Sequence, residues 1–151
     1  MGSEMCIRDS YYAQEHETLD MDRSLLENMR SAAPGSTDTE LRKILGAFLF
    51  SGDAVDQRTG TLSGGERTRL AMATLVVSGA NVLLLDEPTN NLDPASREQV
   101  LDALRTYAGA IVLVTHDEGA VRALSPDKVI ILPDGTEDAW SEELADLVSL
   151  A

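Results

Sequence analysis

Apolar positions along this chain change their spacing several times, and each change marks an element. Leu41, Ile44, Leu45 and Phe48 recur at three- and four-residue intervals, one face of a helix. Leu70, Met72, Ala73, Val76 and Val77 form the buried side of a second helix, and Val100, Leu101 and Leu104 that of a third. Between the helices stand unbroken apolar runs, VLLL at 82–85 and AIVLV at 110–114. Such runs predict strands covered on both faces of a parallel sheet. Another short run at 128–132 predicts a third strand, and Tyr11-Tyr12 the stub of one leading into a polar loop.

Local chemistry sets the boundaries. Thr37 with Glu40, and Ser63 with Glu66, have the spacing of capping boxes that open helices. Asp93-Pro94 places an N-cap before a proline at the first helical position. Shorter helices are expected at 24–29, 118–124 and 142–148, the last after Ser141. The stretches 32–38 and 51–60 read as loops, Gly79-Ala80 as a helix end, and Pro133-Asp134-Gly135 as a turn. Trp140, Leu144, Leu147 and Val148 are expected to be terminal packing. Strands alternating with helices mean an α/β fold with a mostly parallel sheet.

Composition narrows the picture. At 151 residues the chain is long enough for one domain with a core. Its formal net charge of −14 gives it no bulk attraction for phosphate backbones or anionic lipid. Arg67 and Arg69 are the nearest approach to a basic cluster, so direct nucleic-acid binding by this segment is not expected. A single cysteine, Cys6, allows no internal disulfide and suits a reducing cytoplasm. The apolar runs are too short for a membrane span, so any membrane role runs through a partner. Residues 1–10 show no periodicity and no apolar signal region, and are expected to be a non-native or disordered leader outside the fold.

Three places carry candidate chemistry. Ser63-Gly64-Gly65 opens a helix, where free N–H groups and the positive dipole end suit an anion and glycine lets a phosphate approach the backbone. Asp86 and Glu87 stand at the carboxyl end of an apolar strand, where open α/β sheets bind ligands. An aspartate there can hold Mg²⁺, and the adjacent glutamate can orient or deprotonate a water. His116 follows the strand IVLVT, is expected at the same sheet edge as Glu87, and can donate to a γ-phosphate oxygen. Gln14 could contact Mg²⁺ or water, whereas His16 lacks such a setting and reads as solvated. Asp93 both caps a helix and ends a loop that could face another subunit.

LSGGE at 62–66 followed by VLLLDEPTNNLD at 82–93 resembles the ATP-binding cassette ATPases. From Tyr11 onward the chain is most similar to the second nucleotide-binding domain of the F-type (ABC-F) members, on the cues Glu66 with RTRLAMA, NNLD and THD. The resemblance implies a P-loop NTPase-like core with a small helical subdomain at about 15–62, a core remainder at 63–132, and a C-terminal turn and helix at 133–151. It implies ATP and Mg²⁺ as cofactors and ATP hydrolysis as the activity. Gln14 then matches the Q-loop and contacts metal or nucleotide; Ser63, Gly64, Gly65 and Glu66 match the signature motif. Asp86 matches the metal-holding Walker B residue, Glu87 the catalytic glutamate, Asp93 the D-loop end and His116 the switch histidine.

One part of that pattern does not occur in the sequence. A P-loop reads G-x-x-x-x-G-K-[ST], yet the lysines are Lys43 and Lys128, and neither follows a glycine. The expectation is therefore a fragment that offers a signature surface to a second cassette carrying the P-loop, and that neither binds ATP tightly nor hydrolyses it alone. The P-loop strand of this fold is expected between the strands at 111–115 and 128–132, so its loss implies exposed strand edges and marginal stability. The resemblance implies a soluble, cytoplasmic parent acting on the ribosome in translation or antibiotic resistance, through parts outside this segment. The alternative is the ATP-binding subunit of a membrane transporter, which needs an apolar groove for a coupling helix in the helical subdomain. A third reading gives the fragment no function of its own.

Overall fold

Residues 9–12, 19–90 and 92–144 are described in a computed structural model of the chain. They divide into two units, Met1–Val114 and Thr115–Ala151, each taken by itself below.

The first unit is built on a three-stranded parallel sheet of order β1-β2-β3, comprising β1 (Asp9–Tyr12), β2 (Val82–Asp86) and β3 (Ala110–Val114). In register, Asp9 lies beside Val82 and Tyr12 beside Leu85, while Val82 lies beside Ala110 and Asp86 beside Val114. The strand at Tyr11-Tyr12 thus begins at Asp9, so Asp9 and Ser10 belong to the sheet and not to a leader outside the fold.

Five helices accompany the strands among the described residues: α1 (Leu25–Ala32), α2 (Asp38–Ala47), α3 (Gly64–Val77), α4 (Pro94–Arg105) and α5 (Glu118–Leu124). The reason for most starts is local. Ser24, Thr37 and Ser63 each accept from the backbone N–H three residues on, and Glu27, Glu40 and Glu66 reach back to the cap N–H, completing three capping boxes. The box at Ser24–Glu27 has the same spacing as the other two. The expected loop at 51–60 instead contains 3₁₀ turns, Gly52–Asp56 and Thr59–Thr61, because Val55 and Thr59 are buried and draw the chain inward.

The core of this unit joins helices to sheet. Leu25 and Met29 of α1, Leu41 and Leu45 of α2, and Leu70 and Met72 of α3 are fully buried, as are Leu83 and Leu85 of β2 and Val100 and Leu104 of α4. Each such side chain contributes roughly 1.5–3 kcal/mol of hydrophobic stabilisation. Helix α3 is buried on nearly every side from Leu70 to Leu75, as expected of a helix that is apolar all round. A buried amide ties the helical part together. Asn28 donates through Nδ2 to the carbonyls of Asp20 and Ser24 and to Thr59 Oγ1 (2.9–3.1 Å), and its Oδ1 accepts from Asp20 N–H at 2.9 Å. Both the amide nitrogen and the amide oxygen are thereby satisfied, which offsets the cost of burying them.

Two expectations about strands need correction. β3 is not buried on both faces: Ala110, Val112 and Val114 are exposed and Ile111 and Leu113 only half-buried, so one face goes without a covering layer. The strand at 128–132 does not join a parallel sheet. In the second unit β4 (Lys128–Ile131) pairs antiparallel with β5 (Thr136–Ala139), so the stretch expected to be only a turn and helix begins with a hairpin strand. The Pro133-Asp134-Gly135 turn is what makes the hairpin, with Gly135 at φ +70°. Helix α5 is capped by Asp117 and braced by Arg122, which pairs with Glu118 at 2.6 Å. Leu144 lies half-buried past Ser141, whereas Leu147 and Val148 fall outside the described residues.

Candidate functional site

The start of α3 supplies the first group. Ser63 caps the helix, its Oγ accepting from Glu66 N–H at 3.4 Å while the Glu66 carboxylate accepts from Ser63 N–H at 2.8 Å. The Ser63 hydroxyl has one proton, and in this arrangement the Glu66 carboxylate competes with any ligand oxygen for it. The Ser63 backbone N–H and then its hydroxyl hold the Glu66 carboxyl below its ordinary value, with a further contribution from Arg69. A Cβ placed on Gly64 would meet open space, so packing among the described residues does not demand a glycine there. A bare helix start is what a close backbone approach to an anion needs.

The second group lies where β2 ends. Asp86, the last strand residue, is exposed. Glu87 then turns into the left-handed region at φ +44°, unusual for a residue with a side chain. The turn is held on both sides: Glu87 N–H donates to Val114 O at 2.9 Å, and Asn90 N–H donates to Glu87 O at 3.1 Å. Glu87 thereby leaves the strand's two-residue alternation, at a cost of order 1–3 kcal/mol for the strained backbone. Such strain concentrates at working sites. Among the described residues no cluster of three or more His, Cys, Asp or Glu could hold a metal. Asp86, a single exposed carboxylate at the strand end, is the described residue that could hold a Mg²⁺ completed by substrate phosphates and water.

The third group joins the first to the loop beyond Glu87. Leu92 N–H donates to Thr89 O, and Asp93 caps α4 by accepting Ser96 N–H at 3.0 Å and Ser96 Oγ–H at 2.5 Å. Arg69 of α3 donates to the same Ser96 hydroxyl and stands 3.9 Å from Asp93 Oδ2. Its guanidinium also lies 5.4 Å from the centre of the Phe50 ring. The Ser96 hydroxyl, its backbone N–H and Arg69 together hold the Asp93 carboxyl below the ordinary carboxylate value.

Of the residues singled out from the sequence, Ser63, Gly64, Gly65 and Glu66 therefore share one helix start, and Asp86 and Glu87 one strand end. Asp93 is tied to the first of these helices through Ser96 and Arg69. His116 is exposed and belongs to the second unit. Gln14, His16 and Cys6 lie outside the described residues. Sequence reasoning missed Arg69 and Ser96 as site residues. Arg69, with Arg67 the nearest approach to a basic cluster, has a side chain only 12% exposed. Ser96 three residues after a helix-capping aspartate was the available signal, but nothing local names the arginine that reaches it.

Comparison with known proteins gives this arrangement a family. The family model described as "ABC transporter" matches residues 6–90. The chain is 44% identical over 113 residues to the probable ATP-binding protein YheS of Haemophilus influenzae, covering 74% of this chain and 18% of that protein. It is 46% identical over 107 residues to the putative ATP-binding protein YdiF of Bacillus subtilis, covering 71% of this chain and 17% of that protein. With ABC transporter F family member 5 of Arabidopsis thaliana it shares 33% identity over 135 residues, 89% of this chain and 19% of that protein. The chain thus spans about a fifth of the length of these relatives. A solved ATP-binding cassette dimer in a post-hydrolysis state, bound to ADP and phosphate, superposes with a TM-score of 0.71 over 88% of this chain and 63% of that one. At 22% identity that likeness shows the fold alone, an ATP-binding cassette core.

Proposed function

This chain belongs to the ABC transporter family of ATP-binding cassettes, with F-type relatives, and on that premise we propose that it is the catalytic-carboxylate and signature portion of an ATPase cassette whose P-loop lies in other sequence. The observation that carries the reading is the pairing of two features in one unit. A capped, glycine-opened helix start stands at Ser63–Glu66, and a strained turn at the end of β2 presents Asp86 and Glu87.

The roles follow from chemistry. Ser63 and the N–H groups of Gly64 and Gly65 bind the phosphates of an ATP seated on another cassette's P-loop, while the fixed negative charge of Glu66 stays engaged with the cap. Asp86 would hold Mg²⁺, with Gln14 as a second contact. When bound, that ion neutralises charge building on the phosphates. Glu87 orients the attacking water and takes its proton, with its direction set by the left-handed turn. His116 donates to a γ-phosphate oxygen. Asp93 presents the 90–93 loop to the second cassette, an arrangement suited to a family in which the superposed cassette is dimeric.

The parent is proposed to be a cytoplasmic ATPase of the F type, acting on the ribosome in translation or antibiotic resistance through parts beyond these residues. A transporter subunit is the rival reading, and binding of an apolar coupling-helix peptide to the helical part would favour it. No helix among the described residues is long and apolar enough to cross a membrane.

The test is a chimera in which this chain replaces the matching stretch of the Haemophilus influenzae relative, so that a P-loop is supplied. We expect Mg²⁺-dependent ATP hydrolysis by the chimera, lost by about a hundredfold or more in Glu87→Gln, and none by the 151-residue chain alone. Hydrolysis surviving Glu87→Gln would remove the catalytic assignment. Hydrolysis by the chain alone would remove the requirement for a second cassette.

A further inference from the structure

The Arg69–Ser96–Asp93 contact has no part in the roles above, although all three residues sit where the signature helix meets the loop. Ser96 is 2% exposed, and its single hydroxyl does two things at once, accepting from Arg69 and donating to Asp93 Oδ2. Arg69 is held from another side by the Phe50 ring, and its Nε has no hydrogen-bond partner among the described residues. An arginine kept in such a place, with one donor unsatisfied, costs stability that an apolar residue would not. Its geometry does something an apolar residue could not: it fixes the hydroxyl that fixes Asp93.

We propose that Arg69 is a positioning residue, locking the 90–93 loop to helix α3 so that the signature start and the loop meet a second cassette as one rigid surface. The functional half rests on the preceding reading, in which both features face that cassette. The mechanical half does not. Helix α3 carries Ser63 at one end and Arg69 less than two turns further on, so a displacement of the helix moves Ser96 and the Asp93 cap with it. Lysine cannot replace arginine here, because a compact ammonium cannot both lie over Phe50 and present a second donor to Ser96.

The mechanical half is tested on the 151-residue chain without nucleotide, by residue-resolved amide exchange. The reporters are Asn90 N–H, Leu92 N–H and Ser96 N–H, each hydrogen-bonded within the turn or cap. Ser96→Ala is expected to speed their exchange about tenfold, Arg69→Met and Arg69→Lys to do the same, and Ser96→Ala with Arg69→Met to do no more than either alone. The amide that caps the end of α1, Ala33 N–H to Met29 O, is expected to be unchanged in Ser96→Ala. Unchanged loop exchange in Ser96→Ala, full retention by Arg69→Lys, or additive effects in the double variant would each overturn the proposal. If Arg69→Met does not fold, Ser96→Ala and Arg69→Lys still decide it.

The functional half is read in the chimera. Ser96→Ala is expected to lower kcat about tenfold with KM for ATP unchanged, because the loop is displaced and nucleotide contacts are not. Equal loss in kcat and thermal stability would mark Ser96 as structural only and sink it. Survival of hydrolysis in Glu87→Gln would sink the preceding reading and leave the exchange result standing.

Discussion

Strands β2 and β3 are built from nearly the same residues and meet different fates. VLLL of β2 lies between two strands, with Leu83 and Leu85 at 0% and 1% exposure. AIVLV of β3 has β2 beside it and leaves Val112 and Val114 52% and 54% exposed. An apolar run therefore states a demand for cover, and what packs over each face of the strand decides whether the demand is met. In β3 the alternation is still visible, since Ile111 and Leu113 share the covered face with Leu83 and Leu85. What β3 lacks is a layer over Ala110, Val112 and Val114.

The contrast breaks most clearly under paired substitutions. Leu85→Ala is expected to destabilise the chain by about 2–5 kcal/mol, while Val112→Thr, which keeps β-branching, should change stability by less than about 0.5 kcal/mol. Urea midpoints on the two variants measure both, and equal losses would mean that β3 is covered in solution.

Self-association sharpens the same comparison. The β3 run carries no charge and no proline, the features that protect a strand from pairing with another chain. Val112→Lys is expected to reduce concentration-dependent association, read by analytical ultracentrifugation, several-fold with little change in melting temperature. The same change at Leu83 should unfold the chain.

The helical part gives the smallest effect and the opposite lesson. Glu27, Glu40 and Glu66 are each held below the ordinary glutamate value of 4.5, first by the N–H of the cap residue and then by its hydroxyl. Carboxyls depressed in the folded state stabilise it above their unfolded value, and that contribution disappears as pH falls through the folded value. The net charge of −14 opposes this trend, because protonation also relieves repulsion. The informative quantity is therefore the stability difference between the parent and the triple variant Glu27→Gln, Glu40→Gln, Glu66→Gln. It is expected to be present and level above about pH 5 and to shrink below about pH 4.5. A difference that does not vary with pH would mean that charge adds nothing to these caps.

Much of the helical part was legible in the sequence because its signals are local. A cap needs a hydroxyl or carboxylate and a partner three residues away, so the starts of α2, α3 and α4 follow from Thr37, Ser63 and Asp93 with no knowledge of the fold. The candidate carboxylates Asp86 and Glu87 were legible for a similar reason, an apolar run ending in charge. The left-handed turn at Glu87 was not, since it is held by Val114 O from another strand.

By itself the sequence determined where helices begin, which runs are apolar, and which acids, glycines and hydroxyls stand at the ends of those runs. Each of these is settled within a few residues along the chain. Only the tertiary structure decided that Val112 and Val114 go uncovered, that β4 turns back on β5, and that Arg69 reaches across to Ser96. Those outcomes depend on neighbours distant in sequence, Arg69 and Ser96 being 27 positions apart, and burial is set by what arrives from elsewhere in the chain.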